Sequence, residues 1–152
     1  MSNARVTKES ARPPAGRAFD WDLAFLTRWT APLMLVARAM FAYILIADGA
    51  GQIVHYADVA GYMQANGVDP RLLPLVIPTE VGGGLLTLFG LKTRWAAIAL
   101  GGFCLLSALL IHLRADEMIE VQKNVAMAGG FLTLAIFGPG PWSLDGWRRR
   151  AA

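Results

Sequence analysis

Charge is scarce in this chain of 152 residues: Asp, Glu, Lys and Arg make up 16% of it, where a soluble domain carries about 25%. There is one cysteine, which excludes a disulfide-stapled fold and any C-x-x-C exchange chemistry within the chain. The two histidines, His55 and His112, lack metal-ligand spacing and stand in no His/Cys/Glu cluster, so neither zinc nor haem is expected. No P-loop, dinucleotide fingerprint or Ser/His/Asp signature occurs. The net charge of +3 comes from scattered basic residues, which is not a nucleic-acid footprint. Hydrophobic residues make up 55%, too many for a disordered chain.

What the chain has instead is long apolar runs. They cover Ala31 to Ile53, Leu72 to Leu91, Trp95 to Leu113 and Val121 to Pro139. Each is long enough for a helix across a ~30 Å hydrocarbon core, which needs about 20 residues. They lack the polar alternation of barrel strands. The expected fold is an all-α membrane protein, a bundle of four transmembrane helices spanning 31–145. A basic segment, 1–30, precedes it and a basic tail, 146–152, follows. Met1 to about Arg17 is polar and Pro-rich and is expected to be disordered, with no apolar stretch of a cleavable signal. Phe19 to Trp29 reads as a short interfacial helix, ending at Pro32 or running into the first crossing. Asp58 to Asn66 reads as a brief amphipathic helix, with Asp58 as its cap and Gly67 as its stop.

Ten basic residues share one side of this arrangement: Arg5, Lys8, Arg12, Arg17, Arg28, Lys92, Arg94, Arg148, Arg149 and Arg150. Only Arg71 and Arg114 fall in the other loops. The positive-inside rule then places both termini in the cytoplasm of a multi-pass inner-membrane protein. Trp21, Trp29, Trp95, Trp142 and Trp147 lie at segment ends on that same side, as interfacial anchors do.

Depth follows from topology. Asp48, Glu80, His112, Gln122, Lys123 and Asn124 fall in the outer half and come from all four helices, while Arg38 lies about 10 Å inside the cytoplasmic boundary. An isolated charge at mid-membrane costs ~2.5–3.5 kcal/mol on insertion scales, so these groups are expected to pair inside the bundle. The expected pairs are Lys123 with Asp48 or Glu80, and Arg38 reaching toward Glu80. Small residues share the stripes of the polar ones: Gly83, Gly84 and Thr87 with Glu80, Gly101, Cys104 and Ala108 with His112, and Ala126, Met127 and Gly130 with Lys123. Glu80 serves either as a proton acceptor or ligand partner, or as a buried acid that fixes helix register. Lys123, Asn124 and His112 stand between a ligand site and ordinary interfacial placement. Cys104 is assigned to packing.

Four segments resemble the DoxX family of four-helix inner-membrane proteins. They are Arg38; Gly61-Tyr62-Met63 with Asn66-Gly67-Val68; Glu80-Val81-Gly82-Gly83-Gly84 with Leu88-Phe89-Gly90-Leu91 and Arg94; and Lys123-Asn124 with Ala128-Gly129-Gly130 and Gly138 through Asp145. The resemblance covers Pro32 to Asp145. Some members are subunits of thiosulfate:quinone oxidoreductases, and others are linked to redox or sulfur-stress complexes. It implies an accessory oxidoreductase subunit with no redox cofactor of its own, a quinone as possible ligand, and electrons supplied by soluble redox partner proteins. Lipid surrounds such a chain, and a homo-oligomer is a further possible assembly. One position departs from the family. The first helix there ends in a small residue, Gly, two variable residues and Lys, whereas this chain has Asp48-Gly49-Ala50-Gly51-Gln52. Gln52 therefore joins the candidate residues. The alternatives are a small proton or solute permeation element and a structural scaffold without catalysis.

Overall fold

The computed structural model describes residues 20–113 and 116–151, with side chains from residue 27 onward. The expected disorder of Met1 to Arg17, the placement of Trp21 and the loop residue Arg114 lie outside the described residues. All regular structure among them is helical. Helix α1 spans Asp20–Val54, α2 Tyr56–Ala65, α3 Leu73–Phe89, α4 Thr93–Ser107, α5 Met118–Phe137 and α6 Leu144–Ala151. A 3-10 turn, Pro70–Leu72, leads into α3, and a π-helical turn, Ala108–His112, extends α4. The expected interfacial helix is not a separate element. It runs straight into the first long helix, with Pro32 inside α1.

Among the described residues, three helical stretches are long and apolar enough to cross a membrane: Thr27–Val54, Pro70–Phe89 and Thr93–His112. Helix α5 is not among them, because Glu120, Gln122, Lys123 and Asn124 crowd its first turns. The exterior is oily. Leu33, Val36, Met40 and Tyr43 form an exposed stripe on α1, as do Ile98, Leu105 and Leu109 on α4 and Leu132 and Ile136 on α5. Exposed apolar area on this scale needs lipid rather than water.

Helix α1 packs along α3, α4 along α5, and α3 meets α4. Glycines set these approaches. A Cβ on Gly83 would come within 2.6 Å of Leu100, and one on Gly130 would run into the Phe41 ring. Gly84 sits against Ala42, Leu45 and Ile46, and Gly101 against Ala128 and Phe131. The small-residue stripes of the sequence are thus helix contacts. Between the two pairs lies a core of Leu45, Ala97, Leu100, Cys104, Met127, Ala128, Phe131 and Leu134. Phe41 and Phe131 close it with ring centroids 4.7 Å apart. Cys104 is buried there, a packing residue.

The α6 end is tied by the segment that follows α5. Arg38, 1% exposed, donates to the carbonyls of Leu88 and Trp142. Gly90 ends α3 with φ of 67°, and a Cβ there would strike Arg38 and Ser143, so glycine is required both by the backbone and by the space. Asp145 donates its N–H to the Gly90 carbonyl at 2.9 Å. Its carboxylate accepts from the N–H groups of Lys92 (2.9 Å) and Thr93 (2.8 Å) and from the Thr93 hydroxyl (3.0 Å). Helix α4 has no capping side chain of its own, so Asp145 caps it from a distant part of the chain.

Burial pushes the Asp145 carboxyl up, but the N–H groups of Thr93 and Lys92, the Thr93 hydroxyl and Arg149 outweigh it and hold it below the usual carboxylate range. A depressed folded-state value means stability that is present above the unfolded value, ~3.9, and lost as pH falls through the folded one. Asp145→Ala is expected to lower stability by about 1–2 kcal/mol in thermal unfolding at pH 7, and by less at pH 3.

Candidate functional site

The end of the molecule that carries α2 holds a cavity of about 540 Å³. Its walls are apolar: Leu73, Val76, Phe103, Leu106, Leu110 and Met127. Its polar lining includes Asp48 and Gln52 of α1, Glu80 of α3, His112 of the π turn, and Glu120, Lys123 and Asn124 of α5, with His55, Tyr62 of α2 and Ser107 of α4 beside them. Of the candidates read from the sequence, Glu80, His112, Lys123, Asn124, Asp48 and Gln52 are brought together.

Two candidates are not. Gln122 is exposed and does not line the cavity, because it faces away from its neighbours Lys123 and Asn124 on α5. Arg38 does not reach toward Glu80. Gln52, which touches Glu80, lies 14 residues beyond Arg38, about 21 Å along α1. In the antiparallel α1–α3 pair, Arg38 therefore falls opposite the end of α3, where unsatisfied carbonyls receive its guanidinium.

Glu80 is 7% exposed, and its Oε2 accepts from Gln52 Nε2 at 2.7 Å. Gly49 admits this contact, since a Cβ there would meet Val81 at 2.7 Å and Glu80 at 3.3 Å. Lys123 Nζ lies 3.6 Å from Asp48 Oδ2, as one expected pairing has it, and 2.6 Å from Glu120 Oε2. Asn124, 7% exposed, donates to the Glu120 carbonyl at 2.9 Å. Among the described residues, no three His, Cys, Asp or Glu side chains gather as metal donors.

Glu117 and Tyr62 were not legible as site residues. Glu117 Oε2 lies 2.6 Å from the Tyr62 hydroxyl, which donates to it, and 2.8 Å from His112 Nδ1. This knot joins α2, the π turn and the start of α5. The π turn sets His112 in place: Leu113 N–H donates to the Ala108 carbonyl at 2.9 Å and Glu117 N–H to that of His112 at 3.0 Å. The Tyr62 and His112 hydrogen bonds hold the Glu117 carboxyl below the usual range, against a smaller upward push from burial. Burial first, and then the Glu117 hydrogen bond, raise the Tyr62 phenol. Helix α2 has no capping side chain either. His55 stands at the cap position where Asp58 was expected, and Asp58 lies in the first turn. Gly67, φ 74°, follows the helix as its stop. Glu117→Ala is expected to release α2, raising amide exchange across Tyr56–Ala65 about fivefold, since a partly exposed charged hydrogen-bond pair contributes ~1 kcal/mol.

The sequence model of the DoxX family matches residues 33–113. That span holds Arg38, Asp48, Gln52, Glu80 and His112, while Gln122, Lys123 and Asn124 lie beyond it. The chain is 46% identical over 115 residues to inner membrane protein YqjF of Escherichia coli K12, covering 74% of this chain and 88% of that protein. It is 33% identical over 123 residues to inner membrane protein YphA of the same organism, with the same coverage. No solved structure matches. With apolar helices of crossing length, an oily exterior and these relatives, the chain belongs to the DoxX family and is an integral inner-membrane protein.

Proposed function

We propose that the cavity binds the headgroup of a quinone, and that the chain is an accessory subunit of a membrane oxidoreductase system serving redox or sulfur-stress chemistry. The observation that carries this is the pairing of an apolar chamber with polar groups from α1, α3, α4 and α5 at one end. Its volume suits a small ligand, and such sites combine apolar walls with a few polar groups that fix orientation. Helix α5 is then a fourth crossing, its polar first turns facing the chamber rather than lipid. Lys92, Arg94 and Arg148 to Arg150 lie at the opposite end, which is cytoplasmic in this reading and holds both termini. Soluble redox proteins supply the electrons, and the chain itself holds the quinone.

The permeation alternative is less favoured. Beyond the cavity toward α6, Phe41, Leu100, Phe131 and Leu134 pack as an apolar layer, which weighs against a polar path. Mass spectrometry of the lipids extracted from purified protein tests the proposal. A quinone at about one per chain is expected, and phospholipid alone would overturn it.

A further inference from the structure

The hydrogen-bonding groups of the cavity are unbalanced, and the imbalance selects among ligand forms. Resting on the quinone reading above, we propose that the cavity prefers the dihydroxy, quinol form of its ligand to the oxidised quinone.

Gln52, Lys123 and Asn124 each already give at least one N–H to the protein. Gln52 Nε2 is given to Glu80, the Lys123 ammonium to Asp48 and Glu120, and Asn124 Nδ2 to the Glu120 carbonyl. Among the buried side-chain atoms of the described lining residues, the one left without a partner accepts. Gln52 Oε1 is buried, and no donor among the described residues reaches it. Only Oε2 of Glu80 is taken by Gln52. His112 completes the set. Its Nδ1 faces a Glu117 oxygen that also accepts from Tyr62, so Nδ1 carries the proton in that pair. In the neutral tautomer so defined, Nε2 is the acceptor nitrogen.

A quinone presents two carbonyl oxygens, which accept only. Set against Gln52 Oε1 and Glu80, they leave lone pairs opposed and a buried acceptor unsatisfied. A quinol presents two hydroxyls, and each donates to such an acceptor. The asymmetry is chemical rather than steric, because the two forms have nearly the same shape. Binding makes or breaks no covalent bond and moves no electron. Its consequence is thermodynamic: each tenfold preference for the reduced form raises the potential of the bound couple by about 30 mV.

The test is calorimetric titration of the full chain in lipid nanodiscs. The ligands are a decyl-substituted benzoquinone and, anaerobically, its hydroquinone. The hydroquinone is expected to bind at least about tenfold more tightly. Gln52→Lys, which replaces the free carbonyl by an ammonium beside Glu80, is expected to reduce the preference to less than about threefold. Equal binding of the two forms, or tighter binding of the quinone, would overturn the preference and leave the quinone reading standing. Binding of neither form would overturn both. An undiminished preference in Gln52→Lys would overturn the assignment to Gln52.

Discussion

Arg38→Met is expected to lower the thermal midpoint of the protein by roughly 5–10 °C, corresponding to about 2–4 kcal/mol. The guanidinium is buried and holds two backbone carbonyls, those of Leu88 and Trp142, which belong to segments fifty and 104 residues away. Removing it strands both acceptors away from water, at ~1–3 kcal/mol each. The loss also frees the segment that carries Asp145, whose N–H holds Gly90 and whose carboxylate caps α4. Arg38→Lys is expected to recover little of the midpoint. One ammonium on a shorter stem does not reproduce a fork that serves two carbonyls. Ligand retention in folded Arg38→Met is expected to stay near the wild-type level, because the cavity lies at the other end of the molecule. Thermal unfolding followed by circular dichroism checks the first expectation. An unchanged midpoint would show that the buried contacts of Arg38 do not hold this end together.

Glu80→Leu is expected to do the reverse: to spare stability and to weaken ligand binding. Burial of a carboxyl among Leu73, Val76 and Cys104 is offset only in part by one hydrogen bond from Gln52. Leucine relieves that cost but leaves the Gln52 amide without its acceptor, so stability should stay within about 1 kcal/mol of wild type. Binding should fall at least about tenfold, or ~1.4 kcal/mol, because the polar end of the chamber loses a buried carboxyl. Titration of the decyl hydroquinone against folded Glu80→Leu reads the effect. A large drop in stability with full binding would make Glu80 a register-fixing residue and nothing more.

The helices were readable because the physics that creates them is local. A run such as Trp95 to Leu113 has one arrangement that satisfies every backbone group in lipid. The pairing of Lys123 with Asp48 was readable as well, because few charges were present to choose from. Arg38 and Glu80 were harder. Their opposite signs suggested a pair, but the separation is decided by the antiparallel register of α1 and α3, which no local pattern encodes. Once Gln52 is placed on Glu80, Arg38 falls beside Leu88 instead.

The acidic groups at the cavity end were only partly visible. Counting the last apolar run from Val121 left Glu117 and Glu120 in the preceding loop. The helix begins at Met118, and Glu120 then stands one turn before Lys123, a spacing that favours their ion pair. The link from Tyr62 to Glu117 spans 55 residues and depends on where α2 folds back, so no sequence pattern announces it. The same holds for the π turn that carries His112. Helix α5 is a different case. The run from Val121 to Pro139 reads as a crossing, but the polar first turns of the helix keep it outside the three stretches apolar enough to cross, and Lys123 and Asn124 of those turns line the cavity.

The central claim is that a ligand occupies the chamber at the α2 end, between α1, α3, α4 and α5. Photolabelling the full chain in nanodiscs with an azido-benzoquinone, followed by peptide mapping, tests it most directly. The account predicts label on peptides carrying Val76 to Glu80 and Phe103 to His112, lost when excess decyl hydroquinone is added. Label confined to the lipid-facing Leu132 to Phe137 stretch, or undiminished by that competitor, would contradict it.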